Sequence, residues 1–121
     1  MPAEFTLSDE ARDDRHVVSV GGEIDLFTAP DLKQRLLELI DSGQRHIVID
    51  LSETTFLDST ALGVLIGALK RLRAHDGELV IVNRDQSIAK TFEITGLDQI
   101  FTIRPTIAEA LDAFAPGNRV A

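Results

Sequence analysis

Residues 46–75, HIVIDLSETTFLDSTALGVLIGALKRLRAH, predict a strand, a loop and a helix in succession. The segment from His46 to Leu51 is apolar, rich in β-branched residues and too short for a helix, which favours a buried strand. The segment from Ser52 to Asp58 carries hydroxyls and carboxylates around an apolar plug and predicts a loop. Asp58 and Ser59 then stand where a helix begins, the position of residues that cap unpaired backbone N–H groups.

The helix that follows has one apolar face and one face of small residues. Its apolar side chains recur at helical spacing: Leu62, Leu65, Ile66, Leu69 and Leu72. The opposite face carries Thr60, Gly63, Val64 and Gly67. Because a glycine inside a helix costs about 1 kcal/mol relative to alanine, something must compensate. Close packing within the fold and a smooth surface kept for a partner are the two explanations, and the residues alone favour packing.

Length and composition bound the remaining possibilities. The 121 residues fit a single domain over 1–121, with a core of about 4–114 and a loose tail over 115–121. Cysteine is absent, which excludes disulfides and thiolate chemistry. The net charge of −8 argues against nucleic acid and against an acidic partner. No secretory signal is evident, and the longest apolar run, 61–69, is about half of the roughly 18 residues of a membrane span, so a cytoplasmic protein is expected.

The rest of the chain alternates between predicted strands and helices. Strands are predicted at 4–8, 16–20 and 78–82, with a further short strand within 97–103, and Gly21-Gly22 predicts an end or bulge. Thr28, Ser87 and Thr106 are predicted helix caps, the first and last with an acidic residue at capping-box distance. This order predicts an α/β fold, a mixed sheet of four to five strands covered by about four helices.

The candidate catalytic and metal-binding residues do not form a known site. His16, His46 and His75 are poorly placed to activate Ser59 and are expected to be half-exposed surface residues. Four acidic residues have no metal-ligand spacing: Asp25, Asp50, Glu53 and Asp58. No phosphate-binding loop is present, so no cofactor, no metal and no enzymatic activity is expected, and a serine hydrolase is rejected.

Ser59 remains as an acceptor of a phosphoryl group. A phosphate at the first turn of a helix meets free N–H groups and the positive end of the helix dipole, so a modified protein can stay folded. The added charge of about −1.5 to −2 would lie beside Asp58. A docking partner would have to bury this charge or would be repelled by it. A helix cap is the alternative explanation of Ser59, and the chemistry alone favours it.

Five segments in the right order resemble the STAS domain of bacterial anti-sigma-factor antagonists. They are Gly22-Glu23-Ile24-Asp25, Ala29-Pro30, Ile49-Asp50-Leu51-Ser52, Phe56-Leu57-Asp58-Ser59-Thr60-Ala61-Leu62-Gly63-Val64 and Phe92-Glu93-Ile94-Thr95-Gly96-Leu97. The resemblance runs from about Phe5 to Ala113. One departure is Ala61, where many members have glycine.

The resemblance implies a regulatory binding protein. Its unphosphorylated form would bind an anti-sigma factor that has GHKL-type serine kinase activity, and a PP2C-type phosphatase would reverse phosphorylation of Ser59. Thr60 is the secondary candidate for modification. Seven residues are expected to contact the partner: Asp25, Asp58, Ser59, Thr60, Gly63, Val64 and Gly67. A STAS scaffold or accessory subunit of a transport or signalling assembly, without a switch, is the alternative, and the oligomeric state, monomer or weak dimer, stays open.

Overall fold

The computed structural model describes residues 4–114 of the chain. Five strands and four α-helices follow one another in the order β1, β2, α1, β3, α2, β4, α3, β5, α4. The strands are β1 Thr6–Arg12, β2 Arg15–Ile24, β3 His46–Leu57, β4 Glu78–Val82 and β5 Thr102–Arg104. The helices are α1 Ala29–Asp41, α2 Ser59–Arg73, α3 Gln86–Ile94 and α4 Ile107–Asp112, with a short 3₁₀ turn at Leu97–Gln99. The predicted tail over 115–121 lies outside the described residues.

The strands form one mixed sheet in the order β1-β2-β3-β4-β5, which confirms the predicted fold class. The hairpin β1–β2 is antiparallel and turns at Asp13-Asp14, while β2, β3, β4 and β5 run parallel to one another. Parallel strands bury both faces under helices, which explains why residues 47–49 of β3 and the strand β4 read as continuous apolar runs. No helix within residues 4–114 combines the length and apolarity that crossing a membrane requires.

Alternate residues of the strands divide the core between the two faces of the sheet. Ile47 and Ile49 pack with the apolar faces of α1, α2 and α3. Val48 points the other way and packs with Val80 and Phe114 beneath α4. The predicted inward stripe of α2 is confirmed, since Leu65 and Leu72 are fully buried. Packing on both faces holds the sheet rigidly, so the loops at the ends of its strands have defined positions.

The loop predicted over 52–58 is wrong, because β3 continues as a strand to Leu57. Its second half pairs with the extension of β2 beyond Gly21-Gly22, where two register shifts accommodate the bulge. Gly22 has φ 83°, and a Cβ there would lie 2.6 Å from the carbonyl oxygen of Glu4, so only glycine fits. Thr54 is buried inside the strand, and its hydroxyl donates to the carbonyl of Val20 at 2.8 Å. The hydroxyl-rich composition therefore hid a strand rather than marking a loop.

Of the three predicted helix caps, Thr106 is confirmed, Thr28 has the predicted position without a capping hydrogen bond, and Ser87 is wrong. Thr28 occupies the N-cap position of α1, but its hydroxyl donates to the carbonyl of Glu23 at 2.8 Å instead of capping the helix. Asp85, rather than Ser87, caps α3 by accepting from the N–H of Ile88 at 3.1 Å. Thr106 caps α4 as predicted. The first strand also begins and ends later than predicted, at Thr6 and Arg12.

The surface role predicted for the histidines is wrong for His16, which is buried against β1. Its Nε2 lies 2.6 Å from Oδ1 of Asp9. Arg35 of α1 donates to both oxygens of the same carboxylate, at 2.6 Å from Nε and 2.8 Å from the terminal nitrogen. This fork tethers α1 to the edge strand. The hydrogen bonds from Arg35 hold the pKa of Asp9 well below its ordinary value, and those from His16 add to the effect.

We expect this tether to make stability depend on acid pH. Because the folded protein lowers the pKa of Asp9, the ionised carboxylate stabilises the fold above the ordinary aspartate pKa of about 4. That contribution is lost as the pH falls from there towards the lowered folded pKa. Urea unfolding of wild type and Asp9→Asn should therefore differ clearly at pH 7, and the difference should shrink steadily as the pH falls from about 4 to 2. A constant difference across this range would contradict the assignment.

Candidate functional site

The site residues predicted from the sequence lie at the carboxyl ends of β2 and β3. The backbone N–H of Asp58 donates to the carbonyl oxygen of Ile24 at 3.1 Å, which brings the ends of the two strands together. Asp25 follows β2 and Asp58 follows β3, so the structure places the two residues next to each other along this edge of the sheet. Crevices at the carboxyl ends of parallel strands are where α/β proteins bind their ligands.

Asp58 caps α2. Its Oδ1 accepts from the backbone N–H of Ala61 at 3.0 Å, and its carbonyl accepts from Leu62 at 3.1 Å. Asp58 itself is in an extended conformation, as an N-cap residue should be. Ala61 supplies the capped N–H and is fully buried. The alternative that Ser59 is the cap is therefore wrong.

Ser59 is the first residue of α2, and its side chain is exposed. Within residues 4–114 its hydroxyl forms no hydrogen bond, so no structural task for it is found in this part of the chain. Thr60, the secondary candidate, is half-buried. A group attached to the Ser59 oxygen would project into solvent at the positive end of the helix dipole. Ser59 is thus better placed to carry a reversibly attached anionic group than to serve as a buried structural hydroxyl.

Asp25 organises the loop between β2 and α1. Its Oδ1 accepts from the N–H groups of Phe27 and Thr28, at 2.9 and 3.1 Å. The hydrogen bond from Phe27 is the main reason why the pKa of Asp25 is lowered. The carboxylate is therefore ionised near neutral pH and contributes a fixed negative charge beside the start of α2. Within residues 4–114, no three potential ligands cluster to form a metal site.

The small-residue face of α2 is open. Gly63 and Gly67 are exposed, and a Cβ built on either would have no neighbour within 4 Å. The packing explanation, which the residues alone favour, is therefore wrong for Gly63 and Gly67 within the described residues. The partner surface that the resemblance implies for the start of this helix stays a prediction with which the open face is consistent. The face forms one wall of a groove of about 560 Å³, whose other wall is α1. Thr60 and Val64 also line the groove, which begins one residue beyond Ser59.

An apolar rim beside the site was missed by sequence reasoning. Leu26 is 64% exposed and Phe27 85% exposed, both in the loop that Asp25 organises. Phe56, predicted to plug a loop, is half-exposed on β3 next to Glu23 of β2. Correct assignment of β3 as a strand would have shown that Phe56 and Leu57 point to opposite faces. Exposed apolar side chains mark a surface that another molecule covers where they form one contiguous patch, whereas single exposed ones are ordinary.

Separate replacement of Asp58 and Ser59 by alanine tests which of the two residues caps α2. We expect Asp58→Ala to lower the free energy of unfolding by about 1 kcal/mol, since the N–H of Ala61 loses its acceptor. Ser59→Ala should change it by less than about 0.5 kcal/mol, the usual range for surface substitutions. Chemical denaturation of the two variants beside wild type measures both. A larger loss for Ser59→Ala would show that the serine is the cap.

The chain is similar to proteins of a known family. The family model described as the STAS domain matches residues 7–110. The chain is 38% identical over 99 residues to the anti-sigma-B factor antagonist of Staphylococcus aureus strain NCTC 8325 / PS 47, covering 82% of this chain and 92% of that protein.

Solved structures show the same fold. An anti-sigma factor antagonist from Mycobacterium paratuberculosis superposes with a TM-score of 0.86 at 35% identity, over 93% of this chain and 97% of that one. The Bacillus cell fate determinant SpoIIAA in its phosphorylated form superposes with a TM-score of 0.69 over 90% of this chain and 97% of that one. At 24% identity, the second likeness bears on the fold alone.

Proposed function

Since the chain belongs to the STAS domain family, we propose that it is an anti-sigma-factor antagonist controlled by phosphorylation. Its unphosphorylated form binds an anti-sigma factor and thereby releases a sigma factor. The names of the relatives from Staphylococcus aureus and Mycobacterium paratuberculosis support the first part of this proposal. The anti-sigma factor is proposed to be a GHKL-type serine kinase, and a PP2C-type phosphatase to restore the unmodified form. The chain acts as one cytoplasmic domain and as a substrate rather than an enzyme.

The observation that carries the switch is the division of tasks between Asp58 and Ser59. Asp58 holds the start of α2 through its bond to Ala61, and Ser59 is left exposed with no bonded partner in residues 4–114. Modification of Ser59 therefore breaks no contact of this part of the fold. The site is open to a kinase and, once modified, to a phosphatase.

The expected consequence of phosphorylation is electrostatic. A phosphate on Ser59 adds a charge of about −1.5 to −2 beside Asp58 and Asp25, which are both at the same edge of the sheet. A partner that binds the unmodified edge would have to bury that charge or be repelled by it. A loss of about 3 kcal/mol corresponds to roughly a hundredfold weaker binding.

A pull-down from lysate of the source organism tests the proposal. Wild type and Ser59→Asp serve as baits, captured proteins are identified by mass spectrometry, and ATP is added to the loaded wild-type beads. We expect a GHKL-type kinase on wild type alone, and its release by ATP as Ser59 gains a phosphate. Identical partners on both baits, with no response to ATP, would overturn the switch and favour a STAS scaffold or accessory subunit.

A further inference from the structure

The groove between α1 and α2 has a length and a shape that suit a helix. Its α2 wall runs from Thr60 to Arg71, about 16 Å at 1.5 Å per residue, or three helical turns. Gly63 and Gly67 lie along this wall without side chains, so the backbone of an added helix can approach closely. The floor is apolar, with Leu36 and Ala68 buried beneath it. Because Lys33 on one wall and Gly63 and Gly67 on the other are exposed, the groove can admit a macromolecular segment from solvent.

The charge of the groove is opposite to that of the chain. The protein has 20 acidic and 12 basic residues, yet the charged residues that line the groove are Lys33 and Arg71, both cationic. Both are exposed, and within residues 4–114 neither forms a salt bridge. The edge of the sheet near Ser59 carries Asp25 and Asp58 instead. An occupant that follows the groove from Ser59 would thus meet negative charge first and positive charge beyond it.

We propose that the groove receives an amphipathic helix of the anti-sigma factor, with acidic side chains facing Lys33 and Arg71. This inference rests on the proposed function and extends it, because it carries the contact surface along α2 as far as Arg71 and onto α1. Apolar side chains at i, i+3, i+4 and i+7 of the partner helix would lie over Gly63, Val64 and Gly67. The helix would pass Ser59 at the mouth of the groove, so phosphorylation would act on a segment already held along three turns.

Charge reversal tests the electrostatic half of the proposal. Lys33→Glu/Arg71→Glu is titrated with the purified anti-sigma factor obtained from the pull-down, beside Lys90→Glu/Arg104→Glu. The control changes the net charge equally at exposed positions outside the groove. We expect the groove variant to lose tenfold or more in affinity and the control less than threefold, at about 0.15 M salt. Equal effects of both variants would overturn the proposal.

Cross-linking tests the identity of the occupant. Because the chain has no cysteine, Gly67→Cys offers a single thiol for a photo-activated benzophenone maleimide, and Ser87→Cys on α3 provides the control. We expect Gly67→Cys alone to label one segment of the anti-sigma factor, with helical spacing of apolar residues and an aspartate or glutamate. Labelling of a second copy of this chain, of a segment without acidic residues, or of nothing would overturn the proposal. If Ser59→Asp still releases the partner in that case, the proposed function stands without the groove.

Discussion

Ser59→Asp is expected to weaken binding of the anti-sigma factor by a hundredfold or more, while the melting temperature stays within about 2 °C of wild type. Binding is lost because a carboxylate at this position adds negative charge to an edge that already holds Asp58 and Asp25. Stability is kept because the hydroxyl that is replaced has no bonded partner in residues 4–114. A negative side chain in the first turn of α2 also interacts favourably with the helix dipole.

Ser59→Asn is the matched control, because asparagine has nearly the shape of aspartate without its charge. Calorimetric titration of wild type and both variants with the purified partner separates the two effects. We expect Asn to weaken binding by less than tenfold. If Asn and Asp weaken it equally, the partner reads the size of the side chain, and the electrostatic account of the switch fails. If Asp alone lowers the melting temperature strongly, the loss of binding reports unfolding instead.

Gly77→Ala is expected to lower the free energy of unfolding by about 3 kcal/mol, at the upper end of overpacking costs. Gly77 is buried between the end of α2 and the start of β4. A Cβ there would lie 2.3 Å from the carbonyl oxygen of Arg45 and 3.0 Å from that of Leu72. Both neighbours are backbone atoms, so relief requires a shift of β3 or α2. The N–H of Gly77 also donates to Leu72 at 2.7 Å, and that bond would be strained.

Gly67→Ala is expected to change the free energy of unfolding in the opposite direction. Its Cβ would project into open space on an ordinary helical backbone, so the higher helix propensity of alanine should raise the free energy of unfolding by up to about 1 kcal/mol. Denaturant unfolding of both variants beside wild type measures the contrast. A destabilised Gly67→Ala would mean that the glycine makes a packing contact after all. An unchanged Gly77→Ala would contradict the tight approach of Arg45.

The sequence allowed the fold class and the position of Ser59 to be predicted because both depend on local patterns. Apolar strands such as 78–82 and the helical stripe of α2 are periodic, and the structure places them where predicted. The resemblance to the STAS domain is confirmed by the family model over residues 7–110. The assignment of Ser59 as a phosphorylated residue stays a prediction.

Two of the errors share a physical cause, since they concern contacts between segments distant in the chain. Thr54 lies in a hydroxyl-rich stretch, and its place in β3 depends on a hydrogen bond to Val20, thirty-four residues earlier. The buried position of His16 likewise depends on Asp9 and on Arg35 of α1. The open space around Gly63 means that no element within residues 4–114 packs there, which no local pattern encodes. Which residue caps α2 could not be decided because Asp58 and Ser59 are both good capping residues.

Asp58 caps the helix and Ser59 is the residue proposed to be phosphorylated, and this division has a consequence for the lifetime of the protein. If modification leaves the free energy of unfolding unchanged, both forms open equally rarely and are equally resistant to proteases that attack unfolded chains. The total amount of protein would then stay constant while its modified fraction follows the opposing rates of kinase and phosphatase. Each molecule could pass through many cycles, so a response would need no new synthesis.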